Sequence, residues 1–134
     1  MERKNLYKYQ LKKQLKSKPR LYHPTERKIK KWFKKLNTLF FNDTLPEFNK
    51  INIKSDKYHW GLCKGECKKE KILNLELSKS FPSFCFFISI LAHEMIHAYQ
   101  YMTIGKMSHS ESFERWNDVF LEYGLEIKDY DELE

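Results

Sequence analysis

Residues 82–105 read PSFCFFISILAHEMIHAYQYMTIG. Pro82 suits the opening of a helix and Gly105 suits its end. Between them Phe84, Phe87, Ile88, Leu91, Met95, Ile96, Tyr99 and Met102 recur at helical spacing. The resulting helix, over about 83–103, is apolar around most of its circumference. A helix with that pattern is buried from several sides and belongs in the middle of a fold. The rest of the chain must supply the layers that cover it.

Upstream, Thr25 is a good N-cap, with Glu26 favourable in the first turn. Ile29, Trp32, Phe33, Leu36, Leu39 and Phe40 then make one apolar face, with lysines between them, and the helix ends around Asn42-Asp43, before Pro46. Ile51, Ile53 and Ser55 alternate as a short strand. Tyr58 to Lys64 is a second β-like run, and Ile72, Leu73, Leu75 and Leu77 mark a third. The Lys/Glu-rich segment 64–71, with Gly65, is the expected turn between the last two. Downstream, Ser108 and Glu111 form a capping box for a last helix, with Phe113, Trp116, Phe120 and Tyr123 as its buried stripe. Gly124 suits a left-handed C-cap with Leu125 packing back, and an acidic, frayed tail follows Ile127. Residues 3–17 read as a short basic helix in which Leu6, Tyr9 and Lys13 make no convincing stripe; Lys18-Pro19 breaks it. The order predicts an α+β domain: a small antiparallel or mixed three-stranded sheet packed with three helices.

At 134 residues the chain is one domain, divided by composition into a basic N-terminal arm, 1–22, and a folded body, 23–134. Twenty-one aromatic residues exclude full disorder, and four Gly, four Pro and three Cys exclude collagen-like, low-complexity and disulfide-scaffold classes. No apolar run reaches the roughly 18 residues of a membrane helix. The first residues lead into more Lys rather than an apolar core, so no secretory signal is expected, and a cytoplasmic location with reduced thiols follows, or a nuclear one, or the host-cell cytoplasm for a viral protein. Cys63 and Cys67 at Cys-x3-Cys supply half a metal shell and are read, with Cys85, as free thiols. The charge is uneven. Residues 1–35 hold fourteen Lys/Arg against two Glu, while the last 24 residues hold nine acids and two bases. A basic segment on a mildly acidic body suits a polyanion, most often nucleic acid.

The chemistry sits in the central helix. His93-Glu94-Met95-Ile96-His97 is a His-Glu-x-x-His pattern. Two imidazoles four residues apart leave one helix face and can meet one ion. Zn2+ takes such neutral nitrogen ligands, and Glu94 beside them can accept a proton from water at the open metal position. Two His and a Glu on an apolar helix are costly unless something satisfies them. A catalytic site needs a third protein ligand. His109 is the preferred candidate, at the first turn of the last helix. A thermolysin-like arrangement would use Glu111, Glu114 or Glu122 instead. A metzincin arrangement would need His at Thr103, and is excluded. His23, in a polar linker, is expected at the surface; His59, on a strand beside Trp60, is a weak ligand candidate.

These residues resemble the SprT-like zinc metallopeptidases, which include the Spartan-type proteases. Leu36 to Pro46 looks like the family's helix and Leu-Pro entry to the first strand. Gly61-Leu62-Cys63 and the strand at 72–77 look like its hairpin. His93 to Tyr99 with His109 to Trp116 look like its metal motif, with Ser110 in place of the common Gly. The resemblance covers about residues 25–127 and implies a zincin-like minimal metalloprotease core. It implies His93, His97 and His109 as Zn2+ ligands and Glu94 as catalytic base. The implied activity is hydrolysis of peptide bonds in a protein substrate. The best-studied branch acts on proteins crosslinked to DNA, and the basic arm is compatible with DNA contact. Longer members carry a C-terminal zinc ribbon or partner-binding tails, which these 134 residues do not show. A rival function is a nucleic-acid-binding adaptor with a structural zinc. His59, Tyr58, Tyr99 and Tyr101 are conceivable partners for the oxyanion.

Overall fold

The computed structural model describes residues 2–55, 59–67, 71–109 and 111–127, with the backbone alone at Cys67, Glu111 and Ser112. Among them the order is α1 (Arg3–Leu15), α2 (Glu26–Phe40), β1 (Lys50–Ile53), β2 (Gly61–Cys67), β3 (Lys71–Leu77), α3 (Phe84–Ile104) and α4 (Glu111–Leu121). This is a small α+β fold with a mixed three-stranded sheet.

The central helix forms as its sequence predicts, and its caps are visible. The Ser83 hydroxyl accepts the Phe86 N–H at 3.1 Å. At the other end Gly105 adopts φ 75° and gives its N–H to the Tyr101 carbonyl at 3.0 Å. Side chains with φ this positive are strained unless they are glycine. From Phe87 to Ala98 every residue of α3 is buried. Each fully buried Leu, Ile or Phe contributes about 1.5–3 kcal/mol of transfer free energy, so α3 is the axis on which the other layers condense.

The sheet order is β1-β3-β2, so the most apolar strand takes the middle. Leu73, Leu75 and Leu77 of β3 all point to the core. β1 pairs with β3 in parallel, with Ile51 opposite Leu75; β2 pairs antiparallel, with Cys63 opposite the same Leu75. β2 runs along α3, and two glycines let it approach. A Cβ on Gly61 would meet Ile90 Cγ2 at 2.7 Å, and one on Gly65 would meet the Tyr101 ring at 2.6 Å. Gly65 therefore lies within a strand opposite Leu73, not in a turn. The ring of Tyr101 fills the space its missing side chain leaves, which the local sequence does not reveal. The residues between β2 and β3, 68–70, lie outside the described set, as does Tyr58; His59 and Trp60 precede β2 rather than belonging to it.

The Thr25 hydroxyl caps α2 by accepting the Lys28 N–H at 3.2 Å. Beyond its last residue, Asn42 and Asp43 turn the chain through φ of 52° and 59°. Asn37 holds that turn closed: its Nδ2 donates to the Leu45 carbonyl at 2.9 Å and its Oδ1 accepts the Leu45 N–H at 3.2 Å. α1 is a packed helix with a stripe different from the one sought in the sequence. Leu11 is fully buried, with Tyr7 and Leu15 against the core, while Leu6 and Tyr9 face out. Lys35, buried beside Trp32 with its ammonium 4.7 Å from that ring, has its pKa lowered by burial and then by Lys31.

α4 begins at Glu111, so Ser108 is not its N-cap, and the expected capping box does not form. The position before the helix, Ser110, lies outside the described residues. Its other end matches expectation. Gly124 has φ 79°, its N–H reaches the Leu121 carbonyl at 2.9 Å, and the Leu125 N–H reaches the Phe120 carbonyl at 3.2 Å. That pair of bonds is a Schellman closure, and Leu125 is fully buried beneath it. Ser89 Oγ then donates to the Glu126 carbonyl at 2.5 Å, and the Ile127 N–H to Asn117 Oδ1 at 2.9 Å. The acidic tail from 128 onward lies outside the described residues. Among the described residues no helix is long and apolar enough to cross a membrane.

Candidate metal centre

His93 and His97 stand one turn apart on α3, with 1% and 6% of their surface exposed. His109 comes from the segment joining α3 to α4, two residues before α4 starts, rather than from that helix's first turn. The three Nε2 atoms form a nearly equilateral triangle: 3.2 Å from His93 to His97, 3.1 Å from His97 to His109 and 3.3 Å from His93 to His109. Metal–nitrogen bonds of about 2.0–2.1 Å at tetrahedral angles put ligand atoms about 3.3–3.4 Å apart. The triangle therefore fits three corners of a tetrahedral ion. Three mutually facing ring nitrogens cannot all satisfy one another by hydrogen bonding, whereas one cation satisfies all three lone pairs. The residues present can hold a metal ion.

The protonation pattern of His97 follows from its neighbour. Gln100 Nε2 donates to the Ser108 carbonyl at 3.1 Å, which turns the amide oxygen toward the ring. Oε1 lies 3.0 Å from His97 Nδ1, so that nitrogen carries the hydrogen and Nε2 keeps its lone pair for the triangle. Behind the triangle lies Phe113 of α4. Its ring is stacked on His97, with centroids 5.2 Å apart, and meets the rings of His93 and His109 at 4.8 and 5.0 Å. The stripe on α4 thus backs all three imidazoles with an apolar surface.

Glu94 is 2% exposed, with its Oε2 3.9 Å from His93 Nε2. Its Cγ would lie 3.3 Å from a Cβ at Gly61, so the glycine makes room for the carboxylate stem under β2. Cys63, two residues on, is also buried. Its thiol is pushed above the usual range by burial first and by the Glu94 charge second. Such a thiol is protonated and inert at neutral pH. Cys85 is exposed, and the Cys67 side chain lies outside the described residues.

Among the described residues the triangle is the one cluster of His, Cys, Asp and Glu arranged for a metal. Glu114 and Glu122 are exposed, and the side chain of Glu111 is not among those described. His23 is exposed with Nδ1 3.4 Å from the Lys79 carbonyl, and His59 is outside the cluster. The Tyr99 ring packs against Phe41 and Trp116, and Tyr101 covers Gly65. Sequence reading missed two contributors, Gln100 and Phe113. A polar residue three positions after His97 on the same apolar helix is the signal that could have found the first. The family model described as SprT-like family matches residues 29–130, about three quarters of the chain. No curated protein and no solved structure matches it.

Proposed function

The chain belongs to the SprT-like family, and on that premise we propose that it is a zinc-dependent metallopeptidase. The observation that carries this reading is a buried carboxylate, Glu94, beside three imidazole nitrogens at ligand spacing. A purely structural site has no use for that carboxylate. His93, His97 and His109 would hold the ion through Nε2. Zn2+ bound there supplies a Lewis acid that polarises a peptide carbonyl and makes water a nucleophile at neutral pH. Glu94 takes the proton of the attacking water on its carboxylate and returns it to the nitrogen of the leaving amine. His97 is held in its Nδ1–H form by Gln100, and Phe113 keeps water from the back of the rings.

Glu94→Gln is the decisive variant. It keeps the shape and the ligands but cannot accept a proton. Zinc content should match the unmodified protein, while cleavage of a protein substrate such as casein falls by about 10²–10⁴-fold, the usual contribution of general acid–base catalysis. A variant that still cleaves at the original rate overturns the mechanism. For the substrate, we extend the proposal to proteins bound or crosslinked to DNA. The support is fourteen Lys/Arg against two Glu in residues 1–35. DNA contact is assigned to the basic segment 1–22, with binding that weakens steeply as salt rises. A substrate tethered to single-stranded DNA, compared with the same protein free, tests it: equal rates at low salt would leave DNA with no part. The adaptor alternative predicts full zinc occupancy, DNA binding and no turnover.

A further inference from the structure

We propose that Gln100 is a positioning residue that couples the second metal ligand to the third, so that His97 and His109 are held as one unit. The inference rests on the metal reading of the imidazole triangle but not on peptidase activity.

His93 and His97 need no help to meet, because helical spacing brings them together. His109 is different. It lies beyond the left-handed stop at Gly105 and ahead of α4, where no helix fixes it. One side chain of α3 bonds the chain next to it. Gln100 is 3% exposed. Its Oε1 accepts the Ser108 N–H at 3.1 Å and its Nε2 donates to the Ser108 carbonyl at 3.1 Å. Both backbone groups of the residue before His109 are thus bonded by a single amide, as a neighbouring strand would bond them. The same Oε1 takes the hydrogen on His97 Nδ1 at 3.0 Å.

The two functions are linked by geometry. An amide turned the other way would present Nε2 to the ring and to the Ser108 N–H, setting donor against donor at the backbone. The orientation that satisfies Ser108 is therefore the one that sets the His97 tautomer. Residues in this position around metal sites typically contribute 10–100-fold in metal affinity. A loop pin with no bearing on the ion would stabilise the fold but leave affinity alone.

The test is zinc affinity by chelator competition on the full chain, with circular dichroism of the metal-free protein as the control for folding. Gln100→Met keeps length and burial but loses every bond, and should weaken zinc binding by about 10–100-fold. Gln100→Glu keeps the acceptor for His97 and the Ser108 N–H but sets acceptor against acceptor at the Ser108 carbonyl, and should recover part of that loss. Unchanged affinity in Gln100→Met, or a loss in Gln100→Glu as large as in Gln100→Met, overturns the inference. Should Gln100→Met not fold, the unmodified metal-free protein decides. Long-range proton–nitrogen NMR should show His97 with hydrogen on Nδ1, and hydrogen on Nε2 would overturn the inference. A wild-type protein that takes up no zinc overturns the metal reading and this inference with it. Normal wild-type binding with an unaffected Gln100→Met overturns this inference alone.

Discussion

The ring of Phe113 lies against the imidazole of His97 with their planes 28° apart. Aromatic pairs in such offset contact contribute about 0.5–1.5 kcal/mol beyond burial. Because the same ring also touches His93 and His109, it sets the depth of the whole triangle. Phe113→Ala should destabilise the metal-free protein by about 3–5 kcal/mol through the cavity it leaves. Urea unfolding measures that loss. Zinc affinity should fall as well, since three rings lose their backing. Phe113→Leu, which refills much of the volume, should recover stability more than affinity.

The two glycines of β2 give opposite expectations for the same substitution. At Gly61 a Cβ meets Ile90, Leu77 and Glu94 at 2.7, 3.0 and 3.3 Å, all of them buried side chains. Gly61→Ala should cost about 1–3 kcal/mol, the usual range for overpacking, and should lower peptidase activity by moving the Glu94 stem. At Gly65 the three nearest atoms all belong to the half-buried ring of Tyr101. Gly65→Ala should cost less, and pairing it with Tyr101→Ala should remove the penalty. A double-mutant cycle by thermal unfolding reads this coupling.

Asn37 serves the backbone of Leu45 with both ends of its amide. Asn37→Ala strands a buried N–H and a buried C=O. Leaving such groups unmet costs about 1–3 kcal/mol each. The turn through Asn42 and Asp43 would loosen with it. Denaturant unfolding should show a lower midpoint.

The Cys63 thiol is held in its neutral form by burial and by Glu94. Its folded pKa lies above its unfolded value, so the stability this lends is complete below the unfolded pKa, about 8.5. It is lost as pH rises beyond that point, at about 1.4 kcal/mol per unit for this one group. Cys63→Ala should flatten the alkaline fall in stability. In a Cys67→Ser background, a thiol reagent should modify Cys85 rapidly in the native protein and Cys63 only after unfolding. Rapid native reaction of both would contradict this burial.

Much of this fold is legible in the sequence because its signals are local. The period of Phe87, Leu91 and Met95, the Thr25 cap and the Gly124-Leu125 closure each depend on residues a few positions apart. His93 and His97 are legible for the same reason. What escapes is set by partners distant in the chain. Gly65 reads as a turn because Tyr101, which fills its space, is 36 residues away. Tyr7, Leu11 and Leu15 are diluted by lysines that dominate the segment's composition. Ser108 reads as a cap because the sequence does not show that its backbone is already engaged by Gln100.

All three imidazoles come from residues 93 to 109, a single helical hairpin. An ion bound there closes only a short loop, and closure entropy grows slowly with loop length. Occupancy therefore does little to bridge remote parts of the chain. It acts by mass action on the native state, in proportion to the logarithm of free metal over its dissociation constant. Chelation should accordingly lower the melting temperature by an amount set by metal concentration, while α1, α2 and the sheet stay packed on α3 by their apolar contacts.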